Sequence, residues 1–171
     1  LINIRSELAN IGSIKRLLKR KYKGRRIDIL ILTETKETAF STQPKLHGYT
    51  RISTYDERSG EADSPRIGGV AAYISTRIEG RCHEIEVNHK RDNILWLRLK
   101  TRRGEAFLAA VYNRPGHPEE HTLNMSAITK NIEWLSKNHR NNEGIVVTGD
   151  MNTRLHQRTG DTASNAYKPE F

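Results

Sequence analysis

Ile145-Val146-Val147-Thr148-Gly149-Asp150-Met151-Asn152 is an apolar strand that stops at a glycine and passes at once to a carboxylate and a carboxamide. Residues i and i+2 of an extended segment point to the same side. The run therefore aims Asp150 and Asn152 at one small volume, the first as base or anion, the second as a neutral hydrogen-bond partner. That pairing suits holding a water against a phosphate.

Other apolar strands end the same way. Leu1-Ile2-Asn3-Ile4 reads as a strand already in progress. Residues 27–33 form a nearly continuous apolar run, the pattern of a central strand buried on both faces, and it stops at Glu34. Residues 106–112 read as a strand ending at Tyr112, and Asn113-Arg114-Pro115-Gly116 breaks it. Asn3, Glu34, Tyr112 and the Asp150–Asn152 pair thus sit at strand termini, where a rigid sheet can hold a site. A lone carboxylate such as Glu34 suits a hard octahedral cation like Mg²⁺, although a solvated strand end is the commoner use of such a residue.

The remaining pattern completes an α/β chain. Residues 11–22 carry Ile11, Ile14, Leu17 and Leu18 on one helical face and Lys15, Arg16, Lys19, Arg20 and Lys21 on the other. That basic face is either a solvated surface or a phosphate-facing or nuclear-targeting one. Residues 36–66 are loop-rich with a short strand at 47–52. A meander follows, with strands at 69–74, 84–87, 94–99 and 106–112 and a hairpin turn at Arg102-Arg103-Gly104. Leu95, Leu97 and Leu99 alternate with Trp96 and Arg98, as a strand with two different faces requires. A helix spans 119–138, with Met125, Ile128, Ile132 and Leu135 as its buried stripe. No repeat or linker interrupts residues 1–171, so one domain is the economical reading.

The bulk numbers narrow the partners. Of 171 residues, 35% are hydrophobic and 29% charged; 29 Lys and Arg against 20 Asp and Glu give a net charge of +9. A field of that sign attracts polyanions, nucleic acid first and anionic lipid second. No run approaches the roughly 18 apolar residues of a membrane span, and no signal peptide is visible. The single cysteine, Cys82, excludes an internal disulfide and fits a reducing compartment. It reads as an ordinary strand thiol, although Arg81 and His83 beside it would favour a thiolate. His117 and His121 stand four apart, but they follow a Pro-Gly break and have no third ligand, so zinc is disfavoured. His47, His83, His89 and His139 read as surface residues, Trp96 and Trp134 as packing anchors, and Gly68-Gly69 as a place of close backbone approach rather than a phosphate loop.

The order of the motifs Ile2-Asn3-Ile4-Arg5-Ser6, Ile31-Leu32-Thr33-Glu34-Thr35, Arg66-Ile67-Gly68-Gly69-Val70-Ala71-Ala72-Tyr73-Ile74, Val111-Tyr112-Asn113-Arg114-Pro115 and Val147-Thr148-Gly149-Asp150-Met151-Asn152 resembles the endonuclease/exonuclease/phosphatase superfamily. The resemblance extends to the endonuclease domains of non-LTR retrotransposons, where an Asn-Ile-Arg opening and a Leu-Thr-Glu-Thr motif occur. It implies a four-layered α/β/β/α sandwich of two mainly antiparallel sheets. It also implies a Mg²⁺-dependent DNA endonuclease (Mn²⁺ as alternative ion), acting as a monomer in the nucleus and leaving a 3′-hydroxyl and a 5′-phosphate. By resemblance, Glu34 would be the principal metal ligand with Asn3 beside it. Tyr112 would hydrogen-bond the phosphate, Asp150 would orient or deprotonate the water, and Asn152 would fix nucleophile and phosphate. Arg114, next to Tyr112 in the strand-end loop, either contacts the DNA backbone or belongs to a plain solvated turn, and Arg5, Lys19 and Arg20 are the further candidate DNA contacts. The family's closing motifs, an Asp and a Ser-Asp-His triplet, have no match after Asn152, and His156 falls in the wrong place. The expectation is an incomplete second sheet and weak or absent turnover, because losing a group that binds the transition state costs orders of magnitude in rate. A non-catalytic nucleic-acid-binding remnant and a phosphatase of the same fold are the alternatives.

Overall fold

The computed structural model describes residues 1–4, 6–19, 26–36, 43–54 and 68–152. In chain order these form β1 (Ile2–Asn3), α1 (Glu7–Lys19), β2 (Ile29–Thr33), β3 (Tyr49–Thr54), β4 (Val70–Ser75), a 3₁₀ turn (Glu79–Arg81), β5 (Cys82–Glu84), β6 (Ile94–Lys100), β7 (Glu105–Tyr112), α2 (Pro118–Asn138) and β8 (Asn142–Asp150). They build two four-stranded sheets, β1-β2-β4-β3 and β5-β6-β7-β8. Each is antiparallel except for one pair, β1 with β2 and β7 with β8.

The alternation read from the sequence assigns each strand's two faces. Between the sheets lie Ile31, Val70, Ala72 and Ile74 from one side and Leu95, Leu97, Ala110 and Tyr112 from the other. On the outer face of the first sheet, Leu30, Leu32 and Tyr73 pack against Ile14 and Leu18 of α1. On the outer face of the second, Trp96, Phe107, Ala109 and Val111 pack against Ala127, Ile128 and Leu135 of α2. This is the α/β/β/α sandwich, and each fully buried aliphatic side chain adds about 1.5–3 kcal/mol to it.

The two parallel pairs position the site. Parallel neighbours need a crossover, and α1 and α2 supply the two crossovers. Both strands of each pair therefore end at the same pole of the sandwich. Asn3 pairs with Thr33, next to Glu34, and Tyr112 pairs with Asp150.

Several expectations are corrected. Helix α1 starts at Glu7 rather than at residue 11. Its first turn is held by tertiary bonds that periodicity does not register: the Glu7 N–H donates to the Thr35 carbonyl, and Asn10 Nδ2 donates to the Ile4 and Ser6 carbonyls. Its far end, residues 20–22, lies outside the described residues. Strand β5 is Cys82–Glu84 rather than 84–87, because pairing with β6 begins straight after the 3₁₀ turn. Met125 is 44% exposed. The buried stripe of α2 runs instead through Asn124, Ala127, Ile128, Asn131 and Leu135. Two amides can occupy it because both are satisfied: Asn131 accepts from the His89 N–H and donates to the His89 carbonyl, and Asn124 is bonded as described below. His139 is not a free surface residue. Its Nδ1 lies 2.9 Å from Glu105, and its ring meets Phe107 edge-on at 4.8 Å. His83 is half-buried against Arg98.

Cys82 is buried, and that burial pushes its thiol up to about 11, so the flanking Arg81 and His83 do not activate it. Among the described residues, no helix is long and apolar enough to cross a membrane.

Candidate functional site

The four strand-end positions converge. Asn3 Nδ2 donates to Asp150 Oδ2 at 2.5 Å, across 147 residues of sequence and from one sheet to the other. Tyr112 is buried, and its hydroxyl is pushed up to about 12. The causes are burial first, then the carboxylates of Glu34 and Asp150, with Arg114 opposing and Glu120 adding. Glu34 from the first sheet and Asp150 from the second therefore both bear on one phenol. Among the described residues no cation forms an ion pair with either carboxylate.

Backbone geometry marks the same places. Glu34 and Asn152 hold left-handed φ values of 60° and 44°. Such values are uncommon outside glycine and cluster where structure is held for function. The Glu34 turn is held by backbone bonds: Thr35 N–H donates to the Gly69 carbonyl and Lys36 N–H to the Gly68 carbonyl. Gly68 and Gly69, with φ of +79° and +87°, cannot be replaced freely. A Cβ at Gly68 would stand 2.7 Å from Asn93 Oδ1, and one at Gly69 would stand 2.3 Å from Thr35 Oγ1. Gly149 serves β8 likewise, since a Cβ there would lie 1.9 Å from the Val111 carbonyl oxygen.

Three asparagines missed by the sequence reading hold this pole. The Asn93 carbonyl accepts the Tyr112 N–H. Its Oδ1 accepts the Gly69 N–H, and its Nδ2 donates to Glu120, so it ties both sheets and α2 together beneath the site. Asn113 is fully buried. Its N–H donates to the Asp150 carbonyl at 2.8 Å, its Nδ2 donates to the Met151 carbonyl at 3.0 Å, and its Oδ1 accepts from Asn124 Nδ2 at 2.8 Å. Asn124 in turn accepts from Arg91 Nε at 3.0 Å. The only signal in the sequence was an amide inside an otherwise apolar helical stripe.

Asn152 behaves differently from the expectation. Its Nδ2 donates to the Asn113 carbonyl at 2.7 Å. The chain is no longer extended at Asn152, so the same-side rule for i and i+2 does not apply, and its amide closes the loop after β8. Arg114 stands near Tyr112, and its carbonyl takes a hydrogen bond from His121 Nε2. That bond accounts for one of the paired histidines. Lys19 is not at this pole. It ends α1, which begins beside Thr35, and twelve residues of helix rise ~18 Å. Arg5 and Arg20 lie outside the described residues.

The α1 N-terminus is fixed by a buried ion pair. Arg51 Nη2 donates to Glu7 Oε2 at 2.6 Å with both side chains under a tenth exposed, and the Tyr73 hydroxyl also donates to Glu7. This network sets the height of the Thr35 carbonyl and with it the Glu34 turn.

The sequence matches the Endonuclease/Exonuclease/phosphatase family over residues 2–170. No curated protein matches it. Among solved structures, the 3′ phosphatase NExo from Neisseria bound to a product DNA hairpin is similar with a TM-score of 0.54 at 15% identity, over 88% of this chain and 55% of that one. The 3′-5′ exonuclease NExo from Neisseria meningitidis follows with a TM-score of 0.51 at 15% identity, over 86% and 55%. The human Nocturnin catalytic domain with bound sulfate has a TM-score of 0.46 at 16% identity, over 74% and 52%. The chain thus spans about half the length of the structures it resembles, and at these identities the likeness is one of fold.

Proposed function

The chain belongs to the endonuclease/exonuclease/phosphatase family, and on that premise we propose that it carries the metal-binding and general-base half of a DNA-hydrolysing site of the non-LTR retrotransposon type. The observation that carries this reading is the bond from Asn3, which ends the first sheet beside Glu34, to Asp150, which ends the second beside Tyr112. Two carboxylates brought to one pole, neither ion-paired among the described residues, favour a bound cation. The donors are all oxygens, which suits Mg²⁺, or Mn²⁺ as a second choice. Glu34 and the Asn3 carboxamide would hold the ion, and its chemistry there is to neutralise charge on the phosphoryl oxygens.

The protein's own groups perform the remaining roles. Asp150, held in place by Asn3, accepts a proton from the attacking water. Tyr112 stays protonated at neutral pH and donates a hydrogen bond to a phosphate oxygen. Asn152 and Asn113 hold the loop that presents Asp150. Arg114, at the mouth, meets the DNA backbone electrostatically.

The test is nicking of supercoiled plasmid with and without Mg²⁺, by residues 1–171 and by a version extended with the family's closing Ser-Asp-His region. The expected result is slow or no nicking by the first and Mg²⁺-dependent nicking by the second, abolished by Glu34→Ala. Nicking by the extended chain that survives Glu34→Ala would sink the site assignment. Full-rate nicking by residues 1–171 would sink the claim that the closing motifs are needed. The net charge of +9 supports a second reading, a non-catalytic nucleic-acid-binding remnant. Salt-dependent DNA binding without nicking in either version would select it.

A further inference from the structure

At the pole opposite Glu34, a cleft of about 630 Å³ opens between the C-terminal half of α1 and the edge formed by β3 and the end of β4. Five residues at its rim carry positive charge: Lys15, Lys19, Arg26, Lys45 and Arg77. Among the described residues no acidic one lines it. Among the described residues only Arg77 has an ion-pair partner, Asp28 at 2.8 Å, and that pair is half exposed. The floor is different in kind. Leu18 and Leu46 are buried there. Tyr49 beside them is locked by donating its hydroxyl to the Ile27 carbonyl at 2.8 Å. Burial raises the Tyr49 hydroxyl, with Arg77 opposing, Asp28 adding and Arg26 opposing.

Four of the five charges have no ion-pair partner among the described residues; such like charges repel one another, and a polyanion relieves that repulsion. The apolar, aromatic floor selects among polyanions. Duplex DNA keeps its base faces stacked inside and can use only the cations. A single strand can lay its phosphates along the rim and place an unstacked base on the floor. We propose that this cleft is a second nucleic-acid site that takes a single-stranded segment, on the face of the sheet away from the proposed catalytic pole. The five residues of β2 separate the two places by roughly 17 Å at a strand's rise per residue. The proposal goes beyond the proposed hydrolysis and does not depend on it.

The test is fluorescence anisotropy of a labelled ten-nucleotide oligothymidylate with residues 1–171, in chelator so that no turnover intervenes. Lys15 and Lys45 are exposed, so Lys15→Glu/Lys45→Glu keeps the fold, and its melting temperature checks this. The variant is expected to bind the strand at least ~10-fold more weakly, and the salt slope of log K becomes shallower by about 1.4, near 0.7 for each of two lost phosphate contacts. An abasic oligomer with the same phosphates is expected to bind ~10-fold more weakly than the oligothymidylate, because it lacks the base that stacks on the floor. Unchanged affinity in the variant would overturn the proposal. Equal binding of abasic and normal strands would also overturn it, as would a duplex that binds as tightly as the single strand and loses as much in the variant.

Discussion

Replacing Asn113 with alanine tests how the site is held. Besides a long contact to the Met151 sulfur, the Asn113 side chain makes two hydrogen bonds, to the Met151 carbonyl at 3.0 Å and from Asn124 Nδ2 at 2.8 Å. Each is worth about 1 kcal/mol net, and stranding the buried Asn124 amide costs roughly 1–3 kcal/mol more, so Asn113→Ala should cost about 3–5 kcal/mol. Against a typical stability of ~5–15 kcal/mol that is a large share. With a urea slope near 2 kcal/mol/M, the unfolding midpoint should fall by about 1.5–2.5 M. The double variant Asn113→Ala/Asn124→Ala no longer strands that amide. Its cost should fall short of the sum of the single costs by ~1–2 kcal/mol, as expected for contacting residues in one network. Amide hydrogen exchange at Met151 and Asn152 should accelerate more than at the centre of β7, because the Asn113 anchor holds the loop and not the strand. Strict additivity, or a single-variant loss under about 1 kcal/mol, would refute the view that a buried amide relay carries the Asp150 loop.

Glu7→Ala removes a buried carboxylate that both Arg51 and Tyr73 bond and should destabilise the fold by about 3–5 kcal/mol, read from thermal or urea unfolding; a loss under 1 kcal/mol would mean that this network is not what docks α1. The Tyr112 hydroxyl titrates near 12, above the ordinary 10. Its contribution to stability is therefore complete below pH 10 and is lost as pH rises from 10 toward 12. Tyrosinate absorbance should show Glu34→Gln moving that titration back toward 10, and an unmoved titration would place Glu34 away from the phenol. The buried Cys82 thiol, raised to about 11, should resist thiol reagents at pH 8 in the native protein and react only at the rate of unfolding. Rapid native labelling would contradict its burial.

Much of the fold was legible because hydrophobic alternation is a local property. The faces of β6 follow from Leu95, Leu97 and Leu99 alternating with Trp96 and Arg98, and the two-sided burial of β2 follows from its unbroken apolar run. The start of α1 was not legible, because Glu7 and Asn10 are fixed by Arg51, Tyr73 and Ile4, none of which is a helical neighbour. Met125 was misread for a related reason. Hydropathy ranks a methionine above an asparagine, but Asn124 and Asn131 each find hydrogen-bond partners for their amides and so take the inward positions.

The sequence by itself determined which residues stand at strand ends, and hence that Asn3, Glu34, Tyr112 and Asp150 are available to a site. Strand termination is written in adjacent residues. Only the tertiary structure decided that these four share one pole, that Asn152 turns its amide back to Asn113, and that Lys19 lies at the opposite pole beside a second basic cleft. The physical reason is the pair of parallel crossovers. The helices α1 and α2 carry the chain back so that each parallel pair ends at the same edge, and the packing of the two sheets then brings Glu34 and Asp150 to one phenol.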